Sequence, residues 1–560
     1  MKLLIIGGVA GGMSAAARAR RLDETAEIIV FEAGPYVSFA NCGLPYHVAG
    51  EIEKRDSLLL HTPETLAKRA ALDVRINTEV TSINRENKTV TAVGPEGEYT
   101  ESYDKLILSP GAVSVEPPIA GIDHPRVSTL RTIPEMDAVI AQVEEALAAN
   151  TNRPARAVVL GAGFIGLEAV EALAHRGLDV SLVEFVDHVL PPLDADLASI
   201  LHTELKDKGI DLHLGVGAQT ITDAEDGDGV RVGLTDGQVL DADLVLMSVG
   251  VRPNSQLAEA AGLELGERGA IVVDDDQVTS DPDILACGDA VQVSFADGRR
   301  GPVLLAGPAN RQGRRAADKA LGHRTIPQQP VLATAIVRVF DQVAAVTGSS
   351  TRVLTEQGID HRVIRIHGPN HAGYYPGSSQ IHLNATFSPD GHLLGAQAVG
   401  ADGVDKRIDV LATAIRAGMT ADDLAELELT YSPPFGAAKD IINMLGFVAG
   451  NILSGETPTW DYTDLEDVRA NDFILDVRGV REAERNVGLE EATVIPLPEL
   501  RDRLDEVEAA ADGRPVAVYC ASGLRSYLAQ RILQAHGYQV RNFTGGAVSL
   551  RCALDAWGDK

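Results

Sequence analysis

Arg156-Ala157-Val158-Val159-Leu160-Gly161-Ala162-Gly163-Phe164-Ile165-Gly166-Leu167-Glu168 holds a strand, a turn and a helix start in one short run. Arg156–Leu160 reads as a buried strand. Gly161, Gly163 and Gly166 form the complete G-x-G-x-x-G spacing, and the following helix runs to about Arg176. The strand Asp179–Val183 then ends at Glu184. Glycines are needed there because the backbone turns tightly and approaches a pyrophosphate at the helix N-terminus, while the acid at the end of the second strand accepts a ribose hydroxyl. The arrangement occurs a second time, at the start of the chain. The strand Lys2–Ile6 meets Gly7-Gly8-Val9-Ala10-Gly11-Gly12, an Ala- and Arg-rich helix runs to about Leu22, and the strand Glu27–Phe31 ends in Glu32. Val9 replaces the middle glycine, so this match is imperfect. Two such units imply two dinucleotides, or one cofactor and one cosubstrate.

Outward from these units, 560 residues suggest three or four domains. An apolar fraction of 45% with 23% charged residues is ordinary for a globular protein with buried cores. No long uncharged apolar run reads as a membrane span. The N-terminal run Met1–Ile6 reads as a first strand rather than a signal peptide, which places the protein in the cytoplasm. A net charge of −31 argues against nucleic-acid binding, since phosphate backbones require a cationic face. The four cysteines, at 42, 287, 520 and 552, are too few for a disulfide scaffold. No metal is expected.

Tyr103–Gly111 reads as a buried strand closing on a turn, and Thr279–Asp289 places Asp289 just after a short apolar strand, before a helix expected to begin at Asn310. With the two glycine turns, these segments resemble the pyridine nucleotide–disulfide oxidoreductases over about residues 1 to 450. The resemblance implies FAD held by Gly7, Gly11, Gly12, Glu32 and Asp289, and a nicotinamide dinucleotide held by Gly161, Gly163, Gly166 and Glu184. Glu184 would accept from a ribose 2′-OH and repel a 2′-phosphate, and Phe185-Val186-Asp187 offers no cation, so NADH is favoured over NADPH. The implied fold is α/β. A discontinuous FAD domain spans 1–112 and 250–325, a NAD(P)H domain spans 113–249, and an α+β dimerisation domain spans 326–450. In the last, Leu393–Val399 reads as a strand and Val404–Ala417 as a helix ended by Gly418, with Thr420 and Asp423 capping the next helix. A homodimer with active sites shared between subunits is implied.

Residues 451–464 turn to linker composition around Ser454-Gly455-Glu456-Thr457-Pro458, and 465–560 form a separate unit. Its strands are Phe473–Arg478 and Pro515–Tyr519, and the second runs into Cys520-Ala521-Ser522-Gly523-Leu524-Arg525-Ser526 before a helix to about His536. Backbone N–H groups and a helix N-terminus around a cysteine favour an anionic sulfur, and Arg525 adds positive charge. The Asp476-Val477-Arg478 run and the Cys520–Arg525 loop resemble a rhodanese domain.

Cys42 lies in Ser38-Phe39-Ala40-Asn41-Cys42-Gly43-Leu44-Pro45-Tyr46-His47, with no second thiol near it. An internal dithiol of the Cys-x4-Cys kind is therefore excluded. Cys42 must cycle between a thiolate and a mixed disulfide, persulfide or sulfenic acid. Single-cysteine members of the family include NADH oxidases and peroxidases, whose pattern carries a histidine in the first glycine turn; Ala10 stands there and cannot move protons. The Ser38–Cys42 stretch and Val9 are similar instead to the CoA-disulfide reductases. That resemblance implies Tyr374 and Tyr431 brought to the cysteine from the partner subunit, where a phenol can protonate a departing thiolate. It further implies CoA contacts at Ser14, Arg18, Arg21, Ser38, Asn41, Asn310 and Lys439. The expected activity is FAD-dependent NADH reduction of CoA disulfide, CoA persulfide or polysulfide through Cys42, with Cys520 carrying sulfane sulfur. The alternatives are an oxidase or peroxidase working through a Cys42 sulfenic acid, and a flavin-binding sensor of sulfur stress. Cys287 and Cys552 are expected to be structural.

Overall fold

Lys2–Ile6 is the central strand of a five-stranded parallel sheet in the computed structural model, which describes residues 1–150, 152–224 and 229–557. Glu27–Phe31 and Lys105–Leu108 flank it, and Asp73–Arg75 and Ile284–Ala286 form the edges. Successive side chains of a strand point to opposite faces, and both faces here are covered. Leu4 and Ile6 join one core cluster, while Leu3 and Ile5 join another. Arg156–Leu160 takes the same central place in a second parallel sheet, between Asp179–Glu184 and Leu244–Met247, with Asp211–Leu214 and Val127–Ser128 outside. Both glycine turns therefore sit where a central strand's C-terminal end meets a helix, the position from which an open parallel sheet presents ligands.

The helix Ala10–Leu22 packs closely on Ala306–Ala320. A Cβ on Gly313 would stand 2.1 Å from the carbonyl oxygen of Gly11, so only glycine allows this approach. The second helix begins at Ala306, not at the expected Asn310. Gly307 and Pro308 read as loop residues, but the first helical turn has no intrahelical N–H bonds for proline to break.

These two sheets belong to a unit formed by residues 1–185 and 209–333; a second unit comprises 186–208 and 334–560. The second unit holds a five-stranded antiparallel sheet in the order 335–339, 342–348, 393–400, 380–387, 362–369. The helices Val404–Ala417 and Ile441–Leu453 pack on it. Gly418 ends the first of these at φ 68°, and Thr420 with Asp423 forms the capping box of the next. A parallel sheet follows, in the order 459–460, 540–543, 516–519, 473–476, 493–494. The stretch 451–464, read as linker, contains the end of the helix Ile441–Leu453 and the strand Thr459–Trp460, which pairs with Asn542 and Phe543.

Within this second unit the C-terminal helix Gly546–Trp557 lies against the helix Ala195–Asp207 across a buried polar seam. Arg365 donates through Nε to Asp196 at 2.8 Å and through its backbone N–H to Thr544 at 3.3 Å. His367 bonds Ser549 through Nε2 at 2.8 Å, and its Nδ1 meets Nδ1 of His382 at 2.9 Å. Two Nδ1 atoms can share one hydrogen bond only if one of them carries no proton, so one ring must be neutral. Burial, reinforced by His382 and Arg365, holds His367 well below the usual histidine range, and burial with the charge of Arg551 pushes His382 down to about 4. Groups with lowered folded values bind fewer protons folded than unfolded, so their contribution is complete above about pH 6.5 and is lost as pH falls toward 4. Acidification across that window is expected to lower the melting temperature of this unit, with His382 alone worth on the order of 3 kcal/mol. His382→Gln should flatten the slope; a melting temperature independent of pH between 6.5 and 4 would refute this account.

Candidate active site

Cys42 is presented by a three-residue 3₁₀ turn, Asn41–Gly43, that leads into the short helix Leu44–Val48. The chain reaches it through Ser38, whose φ of 51° is unusual for a residue with a side chain. Two bonds hold that conformation: Ser38 N–H donates to Gly8 O at 2.8 Å, and Ser38 O accepts from Leu60 N–H at 3.1 Å. The cysteine stretch is thereby tied to the first glycine turn. Asn41 Oδ1 accepts from the Cys42 N–H at 3.1 Å. All four cysteines are free thiols, and only Cys42 is exposed. Burial pushes Cys287 up to about 12 and Cys552 up to about 11, which suits the structural part expected of them. Cys42 is also raised, by partial desolvation first and then by the negative charges of Glu168 and Asp289. These surroundings make its thiolate scarcer than in a free cysteine, so the nucleophilic form expected from the sequence is not favoured by local charge alone.

The two glycine turns are shaped for dinucleotides. Gly7 and Gly161 have φ of 102° and 96°, and a Cβ on Gly12 or Gly166 would lie 1.9 Å from the carbonyl oxygen of Gly7 or Gly161. The cradles can be closed only by glycine. Glu32 stands over the first turn, accepting from Gly8 N–H and Gly34 N–H at 2.8 Å each, and burial raises its carboxyl. Glu184 stands over the second, accepting from Ala162 N–H at 2.6 Å. Gly11 faces Ser109 and Cys287, and Gly163 is open on its Cβ side. Asp289 is half-buried, and desolvation raises it against the opposing pull of Arg131. Paired turns, each with a carboxylate fixed at a strand end, fit FAD at the first and a nicotinamide dinucleotide at the second. Tyr46, from the cysteine stretch, donates its hydroxyl to Glu168 at 3.1 Å and so joins Cys42's segment to the second turn's helix. Sequence reading took Glu168 only as a helix opener and passed over Arg131. The place of Glu168, directly behind the complete glycine fingerprint, was the available signal.

The residues expected to hold CoA divide between the two units. Ser14 donates to Asn310 Oδ1, and Arg18 Nε donates to Asp318 at 2.6 Å, both across the contact of the helices Ala10–Leu22 and Ala306–Ala320. Arg21 and Asn41 are exposed and Ser38 is half-buried. Lys439, in the other unit, is exposed. Arg18 thus has one N–H already committed to a carboxylate.

Tyr374 and Tyr431 come together in the second unit, with hydroxyls 3.3 Å apart. Their segments are stitched by Ala372 N–H to Gly436 O at 2.9 Å. Beneath them Arg407 donates to Asp440 at 2.7 Å and to Asn370 O at 2.6 Å, a fully buried pair that fixes both loops. The rings themselves are exposed, and Tyr431 with Lys406, Thr430, Ser432 and Phe435 lines an open depression. The bond to Tyr431 raises the Tyr374 phenol above its ordinary range.

Cys520 closes the strand Val516–Tyr519, buried at the base of its loop. Its sulfur accepts from Gly523 N–H and Ser526 Oγ, each at 3.3 Å. A Cβ on Gly546 would meet Cys520 O at 2.6 Å, so the C-terminal helix Gly546–Trp557 starts against the loop's backbone. The Asp476-Val477-Arg478 run is the brace below: Arg478 donates to Asp476 at 2.7 Å and to Val487 O at 2.9 Å, and it lies over the Tyr519 ring. Arg525, at the loop's end, forms a two-pronged bond to Glu482 at 2.7 and 2.6 Å. Glu482 was not among the residues that the sequence singled out.

Three family descriptions match the chain. Pyridine nucleotide-disulphide oxidoreductase covers residues 1–313, the dimerisation domain of the same family covers 334–440, and a rhodanese-like domain covers 457–551. A curated coenzyme A disulfide reductase of Staphylococcus haemolyticus is 35% identical over 455 residues, which is 80% of this chain and 100% of that protein. Among solved structures, reduced Bacillus anthracis CoADR-RHD superposes with a TM-score of 0.93 at 41% identity, covering 99% of this chain and 98% of the other. A NAD-dependent persulfide reductase from A. fulgidus superposes with a TM-score of 0.91 at 38% identity, covering 98% of this chain and 100% of the other. Among the described residues, no helix is long and apolar enough to cross a membrane.

Proposed function

The chain belongs to the pyridine nucleotide-disulphide oxidoreductase family, and we propose that it is an FAD-dependent NADH oxidoreductase that reduces CoA disulfide or CoA persulfide through Cys42. One observation carries this reading: Cys42 is the one exposed cysteine, tied through Ser38 to the first glycine turn and through Tyr46 to the helix of the second. When bound, FAD supplies acceptance of hydride from NADH and delivery of two electrons to the neighbouring sulfur. The chain's own residues do the rest. Glu184 orients the NADH ribose at the second turn and disfavours a 2′-phosphate. The Cys42 thiolate attacks the sulfur–sulfur bond, forming a mixed disulfide or persulfide on Sγ and releasing a thiolate. In a homodimer, Tyr374 and Tyr431 of the opposite subunit hold the proton for that thiolate. Ser14, Arg18, Arg21, Ser38, Asn41, Asn310 and Lys439 make up the CoA-binding set, and Cys520 carries sulfane sulfur to or from CoA. We take the site of action as the cytoplasm.

Anaerobic NADH-coupled assays with CoA disulfide, CoA persulfide, glutathione persulfide and polysulfide test the reading. Turnover should be highest with the CoA substrates, with sulfide released only from persulfide and polysulfide. Turnover confined to oxygen or peroxide would overturn it in favour of an oxidase or peroxidase, and negligible turnover with all of them would point to a sensor. Persulfide turnover unchanged in Cys520→Ser with every donor would remove the carrier role of Cys520.

A further inference from the structure

The cation of the rhodanese-like loop is not free. Within Cys520-Ala521-Ser522-Gly523-Leu524-Arg525, Arg525 is the sole charged residue, and both of its terminal nitrogens are bound by Glu482 from the helix Val480–Arg485. Arg525 also lies close enough to Cys520 for the two to interact, so the carboxylate of Glu482 bears on whatever reaches the sulfur. The helix that carries Glu482 also exposes Arg481, Glu484 and Arg485, and the exposed positions of the loop side are apolar. Leu524, in the loop, is 62% exposed, Leu528 lies one turn further on the same helix, and Val480 opens the helix that carries Glu482. Arg478, from the neighbouring strand end, is buried and committed to Asp476 and Val487 O.

We propose that Glu482 sets the sulfur donor of Cys520, excluding small dianions such as thiosulfate and admitting persulfides of thiols, whose sulfane sulfur is borne on a carbon arm. The sulfonate of thiosulfate would need Arg525, and reaching it means displacing a two-pronged carboxylate of the same sign as the donor; a repulsive group of this kind discriminates as effectively as an attractive one. A thiol persulfide needs no cation beside its sulfur, and its carbon arm can lie against Leu524 and Val480. The transfer balances without any redox partner. The Cys520 thiolate attacks the outer sulfur of R–S–SH, the new sulfur–sulfur bond forms as the old one breaks, and R–S⁻ leaves with the electron pair while the proton stays on the transferred sulfur. Gly523 N–H and Ser526 Oγ hold the attacking sulfur in place. This inference rests on Cys520 being a sulfane-sulfur carrier and adds which donors load it.

The test uses the reduced full-length protein, wild type and Glu482→Gln, mixed with thiosulfate or with CoA persulfide. Loading is followed in time by the mass gain of one sulfur atom on the peptide containing Cys520. Wild type is expected to load from CoA persulfide at least about tenfold faster than from thiosulfate. Glu482→Gln, nearly isosteric, should raise the thiosulfate rate about fivefold and leave the persulfide rate within about twofold. Equal loading of wild type from both donors would overturn the proposal without recourse to any variant, as would an unchanged donor ratio in Glu482→Gln. Loading from neither donor would overturn the carrier role itself, a result distinguishable from a mere loss of donor preference.

Discussion

Cys42→Ser is expected to lower NADH-coupled reduction of CoA disulfide by at least about 10³-fold, because it removes the nucleophile that attacks the substrate's sulfur–sulfur bond beside the first glycine turn. A serine hydroxyl fills nearly the same space at this exposed turn, so the fold and both glycine cradles should survive. The loss should therefore appear with bound FAD retained and with NADH still bleaching the flavin absorbance. Retention of a tenth of wild-type turnover would sink the assignment. The surroundings of Cys42 add a second readout. Desolvation, Glu168 and Asp289 all raise its thiol. Its alkylation by iodoacetamide in the FAD-free protein should therefore keep climbing with pH beyond the range of an ordinary cysteine, tenfold per pH unit below the midpoint. Glu168→Gln, which removes one negative charge, should bring that midpoint down. A midpoint at or below the ordinary cysteine range would show that the charges near Cys42 are arranged otherwise.

The features read directly from the sequence were the local ones. A strand, a glycine turn and a helix are specified within one short stretch, and Gly12 and Gly166 are required by backbone contacts only five residues back. The same holds for the helix Val404–Ala417 with its Gly418 stop, and for the Cys520 loop. What escaped depends on residues far apart in the chain. Glu482 and Arg525 are 43 positions apart, and nothing about a glutamate on a short helix marks it as the partner of a loop arginine. The His367–His382–Ser549 chain joins three elements, and its polar residues look like solvated ones until tertiary packing buries them. The start of the helix at Ala306 was obscured by Gly307 and Pro308, residues whose usual meaning reverses in a first turn. The raised thiol of Cys42 was equally hidden, because Glu168 and Asp289 reach it from 126 and 247 residues away in the chain.

Tyr374→Phe and Tyr431→Phe are each expected to reduce CoA-disulfide turnover by about 10²-fold, the usual loss when a positioned general acid is removed. The two hydroxyls share one hydrogen bond at 3.3 Å, so one donates to the other and only the second has its proton available for a departing thiolate. Removing either oxygen therefore breaks the same unit: the donor loses its orienting partner, or the partner loses its donor. The double variant should then be little worse than either single one, a non-additivity that separate packing roles would not produce. The pH dependence supplies a further check. Because its bond with Tyr431 raises the Tyr374 phenol, Tyr374 stays protonated through the range in which a free tyrosine would ionise. The ratio of wild-type to variant rate should accordingly stay flat up to about pH 10 and shrink only above it. Additive losses in the double variant, or a ratio that collapses near neutral pH, would assign these phenols to packing and return the proton to solvent.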